Sequence, residues 1–186
     1  MNSRAMSTWV LLLRGVNVGG AGKLPMGELV GMLESLGLEN VRTYIQSGNV
    51  VFESKRQISA ELAEEIAAVI HDRKGFRPTV LILNPRQLHD AAASNPFEGA
   101  EEHPKSVHLF FLSSAPSDPD IDALTELSSS TERFHLTDEV FYLYAPDGVG
   151  RSKLAKRAER ILGVPVTARN WRTVTKLLDM VESSER

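Results

Sequence analysis

The amino-acid sequence predicts an α+β fold made of two tandem β-α-β-β-α-β units, the ferredoxin-like order, with antiparallel sheets and helices on one face of each. Three observations predict it. Short apolar runs alternate with segments of helical periodicity, glycine and proline stand at the segment ends, and the order recurs after roughly 90–100 residues. Because 186 residues leave neither unit a large core, we expect the units to pack together.

The first unit, with a connecting helix, is predicted over residues 8–94. Pro25 is expected to open its first helix and Ser59 to cap its second. Gly37 and Gly75 are expected to end these helices, because glycine adopts the left-handed conformation found after a helix C-terminus. Strands are indicated by apolar runs at 8–13, 41–46, 49–53 and 79–83.

The chain between the units is predicted as a short helix, from Pro85 to about Ala93, and a linker loop at 95–105 that contains prolines and a glycine. The second unit is predicted over 106–183. Its strands are expected at 107–112, 133–136, 140–145 and 164–168. Its helices are expected to open at three polar positions, Asp118-Pro119, Ser152 and Asn170.

Charge is distributed unevenly along the chain. The net charge is −3, yet residues 151–176 hold eight basic side chains and one acid, whereas residues 90–147 hold twelve acids and two basic side chains. The basic segment suits an anionic small molecule or a nucleic acid as partner. The alternative is that it faces the acidic segment of the same molecule, or of a second copy in a homo-oligomer.

The chain contains no cysteine, which excludes disulfides, thiolate catalysis and cysteine-ligated metals. That absence favours a cytoplasmic location. The apolar run at 9–13 is too short for a signal segment or a membrane span, so no membrane partner is expected. None of the five histidines has the spacing of a zinc motif, and we predict neither a metal nor a cofactor.

A glycine-rich stretch at residues 12–23 is the most informative segment. An apolar strand runs into four glycines within eight residues, accompanied by Arg14 and Lys23. The stretch fits neither a Walker A loop nor a dinucleotide fingerprint, because other residues stand where glycines are required. We hypothesise that amides around Gly19 and Gly20, with the two cations, bind a phosphate or carboxylate. The alternative is a tight loop that needs positive φ angles.

Polar residues of the predicted hairpin extend this hypothesis. Gln46 and Asn49 flank the turn Ser47-Gly48, and with Asn17 of the glycine-rich stretch they are expected to line a pocket. Ser47 lacks the G-x-S-x-G context of a nucleophile, so turn chemistry explains this serine.

The second half offers two further sets of residues. Ser152 and Lys153 stand at a predicted helix start, where a cation is unfavourable unless an anion or carboxylate offsets it. Arg169, Asn170 and Trp171 place an aromatic ring beside a cation, which suits base stacking or phosphate binding. The alternatives are a solvated basic helix face for the first set and a packing role for Trp171.

Several motifs resemble those of a known family. They are LLRGVNVGG at 12–20, TYIQSGNVVF at 43–52, Asn95-Pro-Phe97 and Thr167-Ala-Arg-Asn-Trp171. Together they are similar to the signature of a large bacterial family catalogued as a conserved domain of unknown function. The resemblance covers the chain from about Trp9 to Met180. It implies two ferredoxin-like subdomains and supplies no activity, substrate or cofactor.

We expect a binding protein for a phosphorylated or nucleic-acid ligand. One alternative is an enzyme acting on a small anionic metabolite, with Tyr44 as acid beside Lys23, Asn17 and Gln46. Another is an interaction protein whose acidic and basic segments dock with each other. The expected ligand-binding residues are the glycine, polar and cationic positions introduced above together with Trp171: Arg14, Asn17, Gly19, Gly20, Lys23, Gln46, Asn49, Ser152, Lys153, Arg169, Asn170 and Trp171.

Overall fold

The computed structural model describes residues 5–184 of the chain. This part contains eight β-strands, six α-helices and one 3-10 turn. It divides into two compact units: unit 1 covers 5–89 and 176–184, and unit 2 covers 90–175. The last helix contributes residues to both units.

The elements follow the predicted order twice. The strands are β1 (Ser7–Arg14), β2 (Glu39–Tyr44), β3 (Asn49–Ser54), β4 (Thr79–Leu83), β5 (Val107–Leu112), β6 (Arg133–Leu136), β7 (Val140–Tyr144) and β8 (Val166–Asn170). The helices are α1 (Met26–Ser35), α2 (Ala60–Lys74), α3 (Pro85–Ala93), α4 (Ile121–Leu127), α5 (Lys153–Leu162) and α6 (Trp171–Glu182), with a 3-10 turn at Val149–Arg151 before α5.

The sheet of unit 1 has the strand order β2-β3-β1-β4, and every pair is antiparallel. Strand β1 lies inside the sheet, with Val10 opposite Val51 of β3 and Leu83 of β4. This order is what a β-α-β-β-α-β chain produces when its two outer strands are the second and the fourth. The expected ferredoxin-like fold of the first unit is confirmed.

The sheet of unit 2 has the order β6-β7-β5-β8, which is the same arrangement shifted by four strands. Its pairs are again all antiparallel, and Phe110 of β5 lies opposite Phe141 of β7 and Ala168 of β8. The internal repeat therefore exists at the level of topology, although the two halves share little residue identity.

Each unit has a hydrophobic core between its sheet and two helices. In unit 1 the inward side chains of β1 and β3, such as Leu11 and Phe52, pack with those of α1 and α2. In unit 2 Phe110 and Phe141 pack with α4 and α5, and their rings meet edge to face at 5.5 Å. The interiors are close-packed, so each core holds its sheet and the loops at its ends in place.

The central strands are also buried on the face that points away from these helices. All six residues of β5 are buried, and Val10 and Leu12 of β1 have no exposed surface. In unit 1, Arg42 lies on this face and donates a hydrogen bond to the carbonyl oxygen of Met180 in α6 at 2.7 Å. Sheets buried on both faces read as continuous apolar runs, which explains why the sequence shows runs and not alternation.

Helix ends agree with the sequence prediction where glycine is involved. Gly37 has φ +78° and its N–H bonds the carbonyl of Glu34, while the N–H of Leu38 bonds that of Leu33. These two bonds are a Schellman motif, which satisfies carbonyls at the end of α1. Gly75 ends α2 and Gly163 ends α5 in the same left-handed conformation.

One predicted cap lacks its side-chain hydrogen bond, and the starts of α4 and β8 lie two or three residues later than predicted. Ser59 precedes α2 but its side chain makes no capping hydrogen bond. Helix α4 starts at Ile121, because the side chain of Asp120, and not the Asp118-Pro119 pair, accepts the N–H of Ala123. Strand β8 starts at Val166, two residues later than expected, and runs on to Asn170.

Candidate functional site

Two loops at one end of the unit 1 sheet are joined by a single side chain. We call residues 15–25, which follow β1, and residues 45–48, which join β2 to β3, the loop pair. The amide of Asn17 donates to the carbonyl oxygens of Leu24 at 2.9 Å and Gln46 at 2.7 Å, and its oxygen accepts the N–H of Leu24 at 2.9 Å. These bonds use both N–H groups and the oxygen of the amide. Asn17 therefore positions the loop pair.

The glycines of the loop pair have two different roles. Val18 to Ala21 form a tight turn, closed by the N–H of Ala21 on the carbonyl of Val18 at 3.0 Å, with Gly19 and Gly20 at φ +58° and +82°. Positive φ at both central residues is the geometry of a type I′ hairpin turn. A Cβ on Gly22 would lie 2.1 Å from the carbonyl oxygen of Gly15, so that position admits only glycine. The tight-loop interpretation explains these glycines.

The predicted hairpin residues separate into a buried one and an exposed one. Asn49 has no exposed surface, and its amide donates to the carbonyl of Tyr44 and to the hydroxyl of Ser47, both at 3.1 Å. Asn49 therefore stabilises the connection between β2 and β3 from inside. Gln46 is exposed, and only its backbone carbonyl takes part in the bond with Asn17.

The outer surface of the loop pair combines cations with aliphatic side chains. Arg14 and Lys23 are exposed, as is Gln46. Val18 is 65% exposed and Ile45 is 52% exposed. Ile45 also has φ +48°, a left-handed conformation that is strained for a β-branched residue.

The start of α5 is capped by a side chain of the protein itself. Ser152 is buried, and its hydroxyl accepts the N–H of Ala155 at 2.9 Å as the helix cap. Lys153 lines a cleft of about 440 Å³ together with the carboxylates of Glu132 and Asp147. Carboxylates near a helix N-terminus are favourable for the helix dipole, and here they lie in the same cleft as Lys153 without forming an ion pair with it.

The second set of unit 2 residues lies at the junction of β8 and α6. The carboxamide oxygen of Asn170 accepts the N–H of Thr173 at 3.0 Å, which caps α6. Trp171 is 8% exposed and its indole N–H donates to Glu101 at 2.9 Å. A largely buried ring whose N–H is hydrogen-bonded fits the packing role predicted as the alternative.

Arg169 is held at the same junction by the protein itself. Its guanidinium donates to the carbonyl oxygen of Ala168 at 2.8 Å. Burial lowers the pKa of Arg169 to about 10, so the side chain keeps its charge at neutral pH. Arg169 is half-buried by exposed surface area, and its hydrogen bond to Ala168 ties the guanidinium to the protein backbone.

Unit 2 presents a different basic surface on α5. Lys153, Lys156, Arg157 and Arg160 follow one another at i, i+3, i+4 and i+7, so they share one helix face, which we call the α5 cationic face. All four are exposed, and none forms an ion pair with any residue that the structure describes. The opposite face of α5 is buried in the core of unit 2.

Of this face, only Lys153 was predicted to be a ligand-binding residue. The repeat of cations at helical spacing is visible in the sequence, which leaves both a binding face for an anionic partner and a solvated face open. Within residues 5–184, these cations have no ion-pair partner.

Within residues 5–184, no three acidic or histidine side chains are grouped so that they could hold a metal ion. No helix among the described residues has the length and apolar content needed to cross a membrane.

Comparison with known proteins places this fold. The chain is similar to a solved structure, the conserved bacterial protein SP0830 from Streptococcus pneumoniae, with 26% sequence identity and a TM-score of 0.64. The alignment covers 95% of this chain and 99% of that chain. No curated protein matches the chain. Residues 6–142 match the model of a family described as "Protein of unknown function (DUF1697)". The resemblance expected from the sequence is thereby confirmed, and the chain belongs to this family of unknown function.

Proposed function

We propose that this protein binds the phosphate backbone of a nucleic acid through the α5 cationic face. The observation that carries the proposal is the set of four exposed cations on one helix face without an ion pair among the described residues. Unpaired cations concentrated on a fixed surface raise the local concentration of polyanions and release counterions from them on binding.

The geometry of α5 matches a polyanion better than a single small anion. From Lys153 to Arg160 the helix rises about 10 Å, so the four charges form a stripe and do not converge on one point. A nucleic acid presents repeated phosphates along such a line. The buried side chains Leu154, Ala158 and Leu162 fix the helix in unit 2, so the stripe is preorganised.

The chemistry of the stripe also indicates what is recognised. It contains no aromatic residue on which a base would stack, and no asparagine or glutamine to read a base edge. Contacts from lysine and arginine to phosphate position a protein without reading sequence. The proposed binding is therefore largely independent of base sequence and strongly dependent on salt.

The proposal is tested by fluorescence anisotropy of labelled single- and double-stranded RNA and DNA at about 50 and 200 mM salt. Four phosphate contacts on duplex DNA give a slope of about −3.6 in log affinity against log salt, which is an affinity loss of about 150-fold between these conditions. The double variant Lys156→Ala/Arg157→Ala is expected to halve the slope to about −1.8.

A matched control separates the stripe from net charge. The double variant Arg73→Ala/Lys105→Ala removes two exposed cations from other elements and is expected to leave the slope unchanged. Lys23→Ala shows whether the loop pair shares the ligand. Absence of binding at 50 mM salt, or an equal loss in both double variants, would refute the proposal.

A further inference from the structure

We infer that the loop pair of unit 1 is a docking surface for a second copy of this chain, which contributes the acidic start of α4. The inference is independent of the α5 cationic face. Among the described residues, three large hydrophobic side chains are exposed: Val18, Ile45 and Ile121.

Two of these three side chains are brought together by Asn17. The Asn17 amide bonds both Leu24 and Gln46, and Val18, Lys23 and Ile45 are each one residue away in sequence from a partner in this network. Val18 and Ile45 therefore belong to the two loops that Asn17 holds together, and Lys23 belongs to the same pair. An exposed aliphatic pair on loops fixed by three hydrogen bonds is a preorganised contact surface, because little conformational entropy is lost when a partner covers it.

The conformation of Ile45 supports a contact role. Isoleucine at φ +48° is strained, and in a solvated turn glycine or asparagine would relieve that strain. Strained residues persist where the surrounding structure holds them, and they occur at sites that engage other molecules. Here the held residue points an aliphatic side chain, 52% exposed, out of the protein.

The third exposed side chain has the complementary surroundings. Ile121 is 45% exposed at the start of α4, and Asp118, Asp120 and Asp122 around it are exposed. None of these three carboxylates forms an ion pair with a described residue. An aliphatic residue among acids on one copy thus matches an aliphatic pair beside cations on another, so that apolar surface and opposite charges are buried together.

The size of these surfaces sets the strength of the association. Three aliphatic side chains with their charged neighbours form a small interface, which places the contact among weak, transient ones. Each copy carries both surfaces, so the loop pair of one copy is available to the α4 start of another. We expect an equilibrium between monomer and dimer at micromolar to millimolar protein, weakened by salt.

The test is sedimentation velocity of the intact chain, free of nucleic acid, from about 5 to 500 µM protein at about 50 and 300 mM salt. The wild type is expected to gain mass with concentration, and less so at the higher salt. Val18→Ser/Ile45→Ser and Ile121→Ser are each expected to abolish the gain. Their equimolar mixture is expected to recover part of it, because one intact contact forms between the two variants.

Controls keep the result specific. Circular dichroism establishes that each variant is folded, and Lys156→Ala/Arg157→Ala is expected to associate like the wild type, so failure of nucleic-acid binding and failure of docking are distinguishable. A wild type that stays monomeric throughout would overturn the inference. Loss of association in the loop variant with none in Ile121→Ser would also overturn it, since that pattern means loop-to-loop contact.

Discussion

Alanine at Gly22 tests the close approach inside the loop pair. A Cβ at this position would lie 2.1 Å from the carbonyl oxygen of Gly15, far inside van der Waals contact, and φ is +61°. The left-handed conformation alone costs an alanine about 1–2 kcal/mol. Relieving the overlap requires the backbone of the loop to move, at about 1–3 kcal/mol more. Gly22→Ala should therefore lower the free energy of unfolding of unit 1 by about 2–5 kcal/mol.

Gly20 provides the matched control. Its φ of +82° is also left-handed, but a Cβ there would meet nothing within 4 Å. Gly20→Ala should therefore cost only the conformational part, about 1–2 kcal/mol. The difference between the two variants isolates the contact with Gly15 from backbone strain.

The assay uses the two tryptophans, of which Trp9 lies in unit 1 and Trp171 in unit 2. In a Trp171→Phe background, urea unfolding followed by Trp9 fluorescence reports unit 1. With a urea dependence of about 2 kcal/mol per molar, a loss of about 3 kcal/mol moves the midpoint by about 1.5 M. Equal midpoints for the two alanine variants would refute the reasoning, because the contact would then cost nothing.

Three further predictions follow the same assay. Asn17→Gly keeps the left-handed backbone but removes three hydrogen bonds. It should lower the free energy of unfolding of unit 1 by about 2–4 kcal/mol. An unchanged urea midpoint would contradict the positioning role of Asn17. Ile45→Asn should raise the free energy of unfolding of unit 1 by about 0.5–1 kcal/mol, because asparagine tolerates φ +48°. A lower urea midpoint would contradict the interpretation that Ile45 is strained. Burial lowers the pKa of His108. The unfolded chain then binds the proton more readily, so unit 2 keeps this stability above about pH 6.5 and loses it as the pH falls below. His108→Gln should remove this loss of stability at acidic pH, measured by Trp171 fluorescence in a Trp9→Phe background. A wild-type unit 2 that is equally stable above and below about pH 6.5 would contradict the prediction.

The fold was largely predictable because its signals are local. The ends of α1, α2 and α5 depend on a glycine placed one or two residues after the helix, and each adopts the expected left-handed conformation. The strand order follows from the β-α-β-β-α-β sequence of elements, and it is the same in both units. Errors of two or three residues arose where a cap depends on a particular hydrogen bond, as at Asp120.

The candidate site was less predictable. Arg14, Lys23 and Gln46 are exposed as expected, whereas Asn17, Asn49 and Ser152 use their side chains to hold the protein's own backbone. Asparagine and serine at turns serve either a ligand or the chain, and residue type alone does not distinguish the two. The remaining cations of the α5 cationic face were visible in the sequence, but their lack of partners was not.

The sequence by itself determined the order of elements, the positions of the turns and the spacing of cations along α5, because periodicity and glycine placement act over a few residues. Only the tertiary structure decided what each polar group contacts. The indole N–H of Trp171 meets Glu101, 70 residues away, and the amide of Asn17 meets Gln46, 29 residues away. A hydrogen bond requires its two atoms to lie within about 3 Å of each other. For distant segments, that proximity is created by the packing of the core and is not encoded next to either residue.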